Sequence, residues 1–290
     1  MVTALVLSGG GARTAFQVGA IEYLLNNNCN PQIILGCSAG AFNAAFIAQA
    51  KDGELSQYAE QLLKIWLSIR GNGDIYRFNL FSAIRNQTLH CPFGLKKIIR
   101  ENIDVAKLIQ SGRLLKISTV CIETSEIIYV TPKDGNFLRW ILASASIPGV
   151  FPPVAMGERH FLDGSIRDIT PLGGVFTEKP DEIIIILTKP LHKQYYSGPQ
   201  NGLRVISKSF EILLNEIWYN DIQIALLMNS MKGKHKAVIK IIQPFEDLRG
   251  GLLEFNPEYI VWNIAHGFEA AKRMQELMIN EYGDVYPVID

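Results

Sequence analysis

The sequence predicts an α/β fold with a doubly wound, largely parallel sheet and helices on both of its faces. Short apolar runs typical of strands alternate along the chain with longer segments of helical periodicity, as in repeated β-α units. The run 183–187 is apolar at every position, which is expected of a central strand covered on both faces. With 290 residues, 48% of them hydrophobic, the chain can bury one large core, and we expect residues 1–290 to form a single domain.

Each predicted element follows from the spacing of its apolar residues. The predicted strands are 4–8, 33–37, 115–122, 127–131, 182–188 and 237–242. The predicted helices are 15–26, 41–49, 55–69, 95–102, 138–145, 203–231 and 257–282. The uncharged stretch 140–157 contains three prolines, so it predicts a buried helix and a turn instead of a membrane-spanning helix. Residues 71–92, with Tyr76, Phe78 and Phe81, predict an excursion of the chain, a long loop or a short helix, that covers a binding site. Residues 189–202 predict a connection from the sheet to the C-terminal helices.

Composition disfavours a polyanion partner and a metal site. Lys plus Arg and Asp plus Glu each number 28, so the formal net charge is zero and no global field attracts nucleic acid. The four cysteines lack zinc-site spacing, and no acidic cluster has the spacing of a calcium loop, so we expect reduced thiols and no metal. The N-terminus shows neither the basic segment nor the cleavage site of a secretory signal. We expect a cytoplasmic protein that is peripheral at membranes, with export by a signal-independent route still open.

A nucleophile elbow is indicated by the pentapeptide Gly36-Cys37-Ser38-Ala39-Gly40. This G-x-S-x-G pattern follows a predicted strand and precedes a helical stretch of small residues, which is the context that an elbow needs. Glycine is required at both ends because a Cβ there would clash with neighbouring backbone as the chain reverses. The helix that begins after Ser38 directs unpaired N–H groups and the positive end of its dipole toward the hydroxyl. We therefore expect the chemistry at Ser38.

A second glycine-rich segment, Gly9-Gly10-Gly11-Ala12-Arg13, lies between the first predicted strand and the first predicted helix. A dinucleotide site is disfavoured because its G-x-G-x-x-G pattern would need glycine at Thr14 and an acidic residue after the second strand. A P-loop is disfavoured because no Lys followed by Ser or Thr comes after the glycines. Successive glycines can instead point backbone N–H groups into one concavity, which suits an oxyanion hole as well as a phosphate. Since consecutive β-α units are neighbours, we expect this loop and Ser38 to share one site.

No histidine carries a motif that would mark it as the base for Ser38. The five histidines are His90, His160, His192, His235 and His266. Only the last three follow an acid in the Ser, acid, His order of α/β-hydrolases, and we expect each of them to be structural. Asp163 is the better candidate because it ends a short predicted strand and Gly164 allows a sharp turn after it. His160 has the opposite strand parity and is expected to point to the other face.

These features together resemble the patatin-like phospholipase family. The shared features are the Gly-Gly-Gly-Ala-Arg loop, the G-x-S-x-G elbow, an Ala-Ser-x-x-x-Pro-x-x-Phe-Pro-Pro block that begins at Ala143, and the Asp-Gly motif at Asp163. The resemblance covers about residues 4–188, and residues 203–290 are expected to pack on that core. It implies a three-layer α/β/α fold and lipid acyl hydrolysis by a Ser-Asp dyad without histidine or cofactor.

The resemblance also implies a role for each matching residue. Ser38 would be the nucleophile and Asp163 the base, with Gly164 and Ser165 supporting the aspartate. The elbow would be formed by Gly36, Ala39 and Gly40. The oxyanion hole would be formed by the loop of Gly9, Gly10, Gly11, Ala12 and Arg13. The Arg13 side chain either meets a lipid phosphate or anchors the glycine loop through carbonyl groups, and we favour the anchor.

Two residues depart from the family's pattern. Thr14 stands where the family commonly has glycine, so the loop must complete its turn by Gly11. Ser165 stands where Gly or Ala is usual, and its hydroxyl is expected to donate to Asp163 and to lower the pKa of that base.

The leading interpretation is a carboxylic ester hydrolase that cleaves acyl esters of phospholipids or lysophospholipids through an acyl-enzyme on Ser38. A thioesterase or an acyltransferase could use the same dyad, because the acceptor depends on how water is excluded. A catalytically silent lipid-binding protein is the alternative from another class, and the presence of both Ser38 and Asp163 argues against it.

Overall fold

A mixed sheet forms the centre of the computed structural model, which describes residues 1–78, 90–191, 202–231, 235–279 and 285–287. Its strands, with one separate pair, are β1 (Thr3–Leu7), β2 (Ile33–Cys37), β3 (Arg77–Phe78), β4 (His90–Cys91), β5 (Leu114–Cys121), β6 (Ile127–Val130), β7 (Val154–Met156), β8 (Arg159–Asp163), β9 (Glu182–Ile186), β10 (Val238–Ile242), β11 (Gln275–Ile279) and β12 (Val285–Pro287). The α-helices are α1 (Ala15–Asn26), α2 (Ala39–Ala48), α3 (Leu55–Leu67), α4 (Phe93–Asn102), α5 (Val105–Gln110), α6 (Phe137–Ser144), α7 (Gly202–Ser230) and α8 (Pro257–Ala271).

The sheet is mostly parallel, as predicted. Its strand order is β12-β11-β10-β9-β1-β2-β5-β8-β7, and β6 also pairs with β5. The central strands β10, β9, β1, β2 and β5 are parallel to one another. Antiparallel strands flank them, with β6 and β8 on β5, β7 on β8, and the β11–β12 pair beyond β10. The two-residue strands β3 and β4 form the separate pair.

Successive residues of the central strands pack on opposite faces of the sheet. On β1, Leu5 and Leu7 belong to the core that contains α1 and α2, whereas Ala4 and Val6 belong to a second core that contains Trp218 of α7. All residues of the run 183–187 are buried, which confirms a strand covered on both faces. The sheet therefore lies between two helical layers.

The stretch 140–157 forms the end of α6, a turn and β7, as the prolines predicted. Within the described residues, we find no helix with the length and apolar character needed to cross a membrane.

The prediction for the last helix is wrong at its C-terminal end. We predicted 257–282, but α8 ends at Ala271 and β11 begins at Gln275, where Glu276 pairs with Lys240 of β10. The periodicity of this segment does not reveal the strand, because its partner lies far away in the sequence. Two other predicted segments, 71–92 and 189–202, fall partly outside the described residues, which include neither Phe81 nor His192.

Two glycines let α1 and α8 touch through their backbones. A Cβ on Gly19 of α1 would lie 1.9 Å from the carbonyl oxygen of Ile264, and one on Gly267 of α8 would lie 1.8 Å from the carbonyl oxygen of Phe16. Both distances are far below van der Waals contact, so the helices must separate if either glycine gains a side chain. The C-terminal helix is thereby fixed against the helix that follows the glycine loop.

We expect Gly267→Ala to lower the free energy of unfolding by roughly 2–3 kcal/mol, because overpacking at this crossing outweighs the better helix propensity of alanine. Urea denaturation measures the change. Gly73→Ala is the control, since a Cβ at Gly73 meets nothing within 4 Å, and it should change stability by less than about 0.5 kcal/mol. A Gly267→Ala protein as stable as the wild type would show that the helices are not held this closely.

Candidate active site

The strand β5 brings Ser38 and Asp163 together. Cys37, the last residue of β2, pairs with Ser118 of β5, and Asp163, the last residue of β8, pairs with Thr119, the next residue of β5. Because β2 is parallel and β8 antiparallel to β5, the two strands end at the same point from opposite directions. The Ser38 hydroxyl donates a hydrogen bond of 2.7 Å to Oδ2 of Asp163.

Ser38 lies at a sharp turn between β2 and α2. Its backbone has φ 57° and ψ −132°, a conformation that a residue with a Cβ rarely adopts and that costs on the order of 1–3 kcal/mol. A Cβ on Gly36 would lie 2.5 Å from the carbonyl oxygen of Gly40, and one on Gly40 would lie 2.5 Å from that of Ser8. Both glycines are therefore required by the close approach of backbone, as the sequence indicated.

Asp163 is fully buried, and its carboxylate accepts hydrogen bonds from Ser38, Ser165 and Cys37. The Ser38 hydroxyl bonds to Oδ2, the backbone N–H of Ser165 bonds to Oδ1 at 2.9 Å, and the Cys37 thiol lies 3.8 Å from Oδ1. Burial raises the pKa of Asp163 to about 6, although the bonds from Ser38, from the backbone and hydroxyl of Ser165, and from Cys37 lower it in part. A carboxyl group with this pKa is ionised near neutral pH and is a stronger base than an exposed aspartate.

The Ala-Ser-x-x-x-Pro block positions both members of the pair, a role that the sequence analysis did not assign. Ser144 Oγ accepts a hydrogen bond of 3.0 Å from the backbone N–H of Ser38. The carbonyl oxygen of Ser146 accepts one of 3.0 Å from the backbone N–H of Asp163. The block thus holds the backbones of Ser38 and Asp163 from one side. The motif itself was the available signal, but the bonds that it makes depend on the folded arrangement.

The glycine loop lies beside Ser38, and only part of it offers free amides. A Cβ on Gly9 would lie 3.3 Å from the Cβ of Ser38. Three of the expected oxyanion donors are unavailable, because Gly9 donates to the carbonyl of Ile169, Ala12 to that of Leu252, and Arg13 to that of Gly10. The expectation that all five loop residues offer free N–H groups was wrong for these three, because their hydrogen bonds hold the loop in its turn. Within the described chain, the N–H groups of Gly10, Gly11 and Ala39 have no hydrogen-bond acceptor.

The Arg13 side chain anchors the loop, which was the favoured alternative. Its Nε donates a hydrogen bond of 2.9 Å to the carbonyl oxygen of Gly250. Gly11 has φ 55°, and a Cβ there would lie 2.0 Å from the carbonyl oxygen of Leu252. The loop completes its turn at Gly11, and the Thr14 hydroxyl closes it with a bond of 2.7 Å to the Gly11 carbonyl.

A buried chain of amide side chains supports the start of the glycine loop. Gln17 Nε2 donates to the carbonyl of Ser8 at 2.6 Å, Asn43 Nδ2 donates to Gln17 Oε1 at 3.1 Å, and Trp66 Nε1 donates to Asn43 Oδ1 at 2.9 Å. Gln17 and Asn43 have no solvent exposure, so each bond removes a polar group that would be costly to leave unpaired. The sequence offered no signal for this chain, because the residues come from three helices.

An apolar cavity opens at Ser38. Its volume is about 60 Å³. Its lining residues are Gly11, Ser38, Ala39, Phe42, Ile65, Trp66, Ile69, Ile75, Leu95, Ile98, Ile99, Ile141, Ala145, Ile147, Phe151, Leu253 and Phe255. Tyr76, from the predicted excursion, packs edge-on against Phe151 and Phe255 and donates a hydrogen bond of 2.7 Å to the Leu253 carbonyl. The described part of that segment therefore contacts the cavity wall.

No histidine of the described chain is bonded to the pair. His160 is exposed, and its Nδ1 lies 2.8 Å from Oε1 of Glu123. Hydrogen bonds from the backbone N–H and from the ring of His160 lower the pKa of Glu123 to about 2. His266 is buried and accepts a bond of 3.2 Å from the Phe245 amide, and burial lowers its pKa. His266 is thus buried in the fold, as expected of a structural histidine, and His160 points away from the pair, as its strand parity predicted.

A second pair of carboxyl groups, Asp168 and Asp221, connects α7 to the glycine loop. Tyr129 donates its hydroxyl to Asp168, and Asp221 Oδ2 accepts a bond of 3.1 Å from the Thr170 amide. Ile169, which lies between Asp168 and Thr170 in the sequence, accepts a hydrogen bond of 2.9 Å from the Gly9 amide through its carbonyl oxygen. Burial raises the pKa of both carboxyl groups, and hydrogen bonding between them together with their mutual repulsion favours one shared proton. The sequence analysis missed Asp221 because nothing in its helical surroundings marks it.

Comparisons with known proteins identify relatives of this chain. The family model of patatin-like phospholipases matches residues 5–176. The uncharacterized protein YjjU of Escherichia coli K12 is 27% identical over 270 residues, 91% of this chain and 71% of that protein. Triacylglycerol lipase ptl2 of Schizosaccharomyces pombe is 26% identical over 220 residues, 69% of this chain but only 35% of the lipase. Among solved structures, VipD from Legionella pneumophila aligns with a TM-score of 0.49 and 13% identity over 96% of this chain and 68% of its own.

We expect Asp221→Asn to flatten the dependence of stability on pH. Burial raises the pKa of Asp221 to about 9, so the folded wild type keeps a proton that the unfolded chain releases near pH 3.8, and its unfolding free energy falls as pH rises between these values. The side-chain amide introduced by Asp221→Asn can still accept a hydrogen bond from Thr170 and donate one to Asp168, and it does not titrate, so the variant does not lose stability as pH rises. Melting temperatures at about pH 5 and pH 8.5 should show the variant at least as stable as the wild type at the higher pH.

The control for this measurement is Glu101→Gln on the exposed side of α4, which should leave the pH slope as in the wild type. A slope in Asp221→Asn that is as steep as that of the wild type, or steeper, would contradict the shared proton.

Proposed function

The chain belongs to the patatin-like phospholipase family, a family of lipid hydrolases, and on this basis we propose that it is a serine acyl hydrolase that cleaves acyl esters of phospholipids or lysophospholipids. The observation that carries the proposal is the hydrogen bond of 2.7 Å from Ser38 Oγ to the buried Asp163 carboxylate, at the end of an apolar cavity. A nucleophile and a base in direct contact are the minimum that acyl transfer needs.

Asp163 acts as the general base in the proposed first step. Its Oδ2 takes the hydroxyl proton while Ser38 Oγ attacks the acyl carbonyl carbon, which becomes tetrahedral with a negatively charged oxygen. The carbonyl re-forms as the ester bond breaks, and Asp163 gives the proton to the leaving alcohol oxygen. Water then attacks the acyl-Ser38 ester, Asp163 takes a proton from the water and returns it to Ser38, and the fatty acid leaves.

The oxyanion is stabilised by backbone amides in this proposal. The N–H groups of Gly10 and Gly11 are free in the described chain and lie in the loop beside Ser38, and Ala39 begins the helix that follows the nucleophile. Donors of this kind contribute on the order of 2.7–4 kcal/mol each to the transition state. Gly11 and Ala39 also line the cavity, so a carbonyl that enters from the cavity meets these amides and the nucleophile together.

The cavity supports an acyl substrate. Ser38 is among the few polar groups in a wall formed mostly by aliphatic and aromatic side chains, and a hydrocarbon chain gains free energy by leaving water for such a wall. We extend the proposal to a peripheral enzyme of the cytoplasm that meets its substrate at a membrane surface.

The test is release of fatty acid from phospholipids and lysophospholipids, and of p-nitrophenol from its acyl esters. We expect Ser38→Ala and Asp163→Asn each to lower kcat/KM by at least about 1,000-fold, because they remove the nucleophile and its base. His160→Ala is the control and should stay within about twofold of the wild type, since His160 contacts Glu123 and not the pair. Folding of each variant is checked by circular dichroism.

A fluorophosphonate probe gives the same test without a chosen substrate and should label the wild type at Ser38. Activity that survives Ser38→Ala, or a folded wild type that neither reacts with the probe nor cleaves any ester or thioester, would refute the proposal. The second outcome would indicate a lipid-binding protein.

We expect Ser165→Gly to shift the acidic limb of the pH profile of kcat/KM upward. Asp163 must be ionised to act as a base, so activity rises with pH through its pKa of about 6. The Ser165 hydroxyl lowers that pKa, and glycine removes the hydroxyl but keeps the backbone N–H, so the limb should move upward by as much as about one pH unit. Ser125→Gly, at an exposed residue with φ 58°, is the control. An unchanged limb in Ser165→Gly would count against this role.

A further inference from the structure

A groove with basic and apolar side chains runs between α4 and α6, outside the acyl cavity. Its lining residues are Pro92, Lys96, Ile99, Arg100, Leu138, Arg139, Leu142, Pro152, Pro153, Val154 and Ala155. Lys96 and Arg100 are four residues apart on α4 and so share one face of that helix, and Arg139 projects from α6. Three cationic groups therefore converge on one groove from two helices.

These cations have no acidic partner in the part of the chain that the structure describes. Lys96, Arg100 and Arg139 are exposed and form no ion pair there, and no described carboxylate lines the groove. Arg139 donates to the carbonyl oxygen of Ala155, which orients its guanidinium group at the groove. Like charges that converge without a counterion repel one another, and an anion in the groove would relieve this repulsion.

The rest of the lining indicates what kind of anion fits. Except for the three cations, every lining side chain is apolar, and the exposed ring of Phe93 follows Pro92 at the start of α4. A nucleic acid or a free metabolite would leave this apolar surface in water, and the zero net charge of the chain gives no wider attraction for a polyanion. A molecule with an anionic head and hydrocarbon chains matches both parts of the groove.

The groove and the acyl cavity share a wall. Ile99 lines both, and the neighbouring residues Ile141 and Leu142 of α6 line the cavity and the groove respectively. A lipid held in the groove would therefore keep α4 and α6, and the cavity behind them, close to the membrane from which a substrate acyl chain must come.

We propose that the groove binds the phosphate-bearing headgroup of an anionic phospholipid in a bilayer, with Lys96, Arg100 and Arg139 contacting the phosphate. This site is separate from the Ser38–Asp163 pair and needs no hydrolysis, so it goes beyond the proposed function. It predicts that the protein binds anionic membranes more tightly than neutral ones.

The experiment measures sedimentation of the protein with vesicles of phosphatidylcholine alone or mixed with phosphatidylglycerol, at near-physiological ionic strength. The full chain carries Ser38→Ala in every sample, so that no lipid is cleaved and the result does not depend on the proposed activity. The test variant is K96Q/R100Q/R139Q. The matched control is K97Q/K107Q/K133Q, which also removes three positive charges but at positions outside the groove and without ion pairs among the described residues.

We expect the test variant to lose roughly 100-fold in its partition onto phosphatidylglycerol vesicles, and the control less than about threefold. All six side chains are on the surface, so both variants should fold, and the single variant R100Q repeats the test with the smallest change. Equal losses in the two triple variants, or equal binding of the parent protein to neutral and anionic vesicles, would overturn the proposal.

Inorganic phosphate at constant ionic strength separates a lipid headgroup from free phosphate. We expect it to leave vesicle binding unchanged, because it cannot use the apolar part of the groove. Displacement of the protein by inorganic phosphate, with saturable binding of phosphate that is lost in K96Q/R100Q/R139Q, would assign the groove to a soluble anion and overturn the lipid proposal.

Discussion

The candidate site depends on the register of one strand. β5 pairs with β2 up to Ser118 and with β8 from Thr119, so Ser38 and Asp163, the proposed nucleophile and base, are placed by backbone hydrogen bonds before any side chain is considered. A slip of one residue in either pairing would move Asp163 or Ser38 to the opposite face of the sheet. Apolar burial on both faces resists such a slip, and the hydrogen bonds that the Ser38 and Asp163 amides donate to Ser144 and Ser146 oppose it at the site itself.

The C-terminal part of the chain, which lies beyond the segment that matches the family, completes the site. Gly250 and Leu252 accept hydrogen bonds from the glycine loop, and Leu253 and Phe255 line the cavity. The α1–α8 crossing and the hydrogen bond from the Thr170 amide to Asp221 hold the same loop from two further directions. The turn of the glycine loop is therefore a property of the whole sheet and its two helical layers, and its motif alone would not hold it.

What could be predicted from the sequence was local or followed from motifs. The strand at 33–37 and the helix at 15–26 were correct to the residue, because periodicity and glycine punctuation act within a few residues. The Ser38–Asp163 pairing could be inferred because two motifs mark it. β11, the Gln17–Asn43–Trp66 chain and the role of Asp221 were missed because each depends on partners far away in the sequence. The sequence located the amides of the glycine loop but did not show which of them are free, because that depends on carbonyl groups such as those of Ile169 and Leu252.

In the proposed mechanism, burial is what lets an aspartate take the role that a histidine has in many serine hydrolases. An exposed carboxylate would be too weak a base to draw a proton from serine, and desolvation corrects this by making the charged form less stable. The same burial would protonate the group near neutral pH if nothing opposed it, and the bonds from Ser38, Ser165 and Cys37 limit the shift so that the pKa is about 6. The site therefore depends on a balance between desolvation and hydrogen bonding. Residues that change the number of donors around Asp163, Ser165 first among them, adjust the basicity of Asp163 without contacting Ser38.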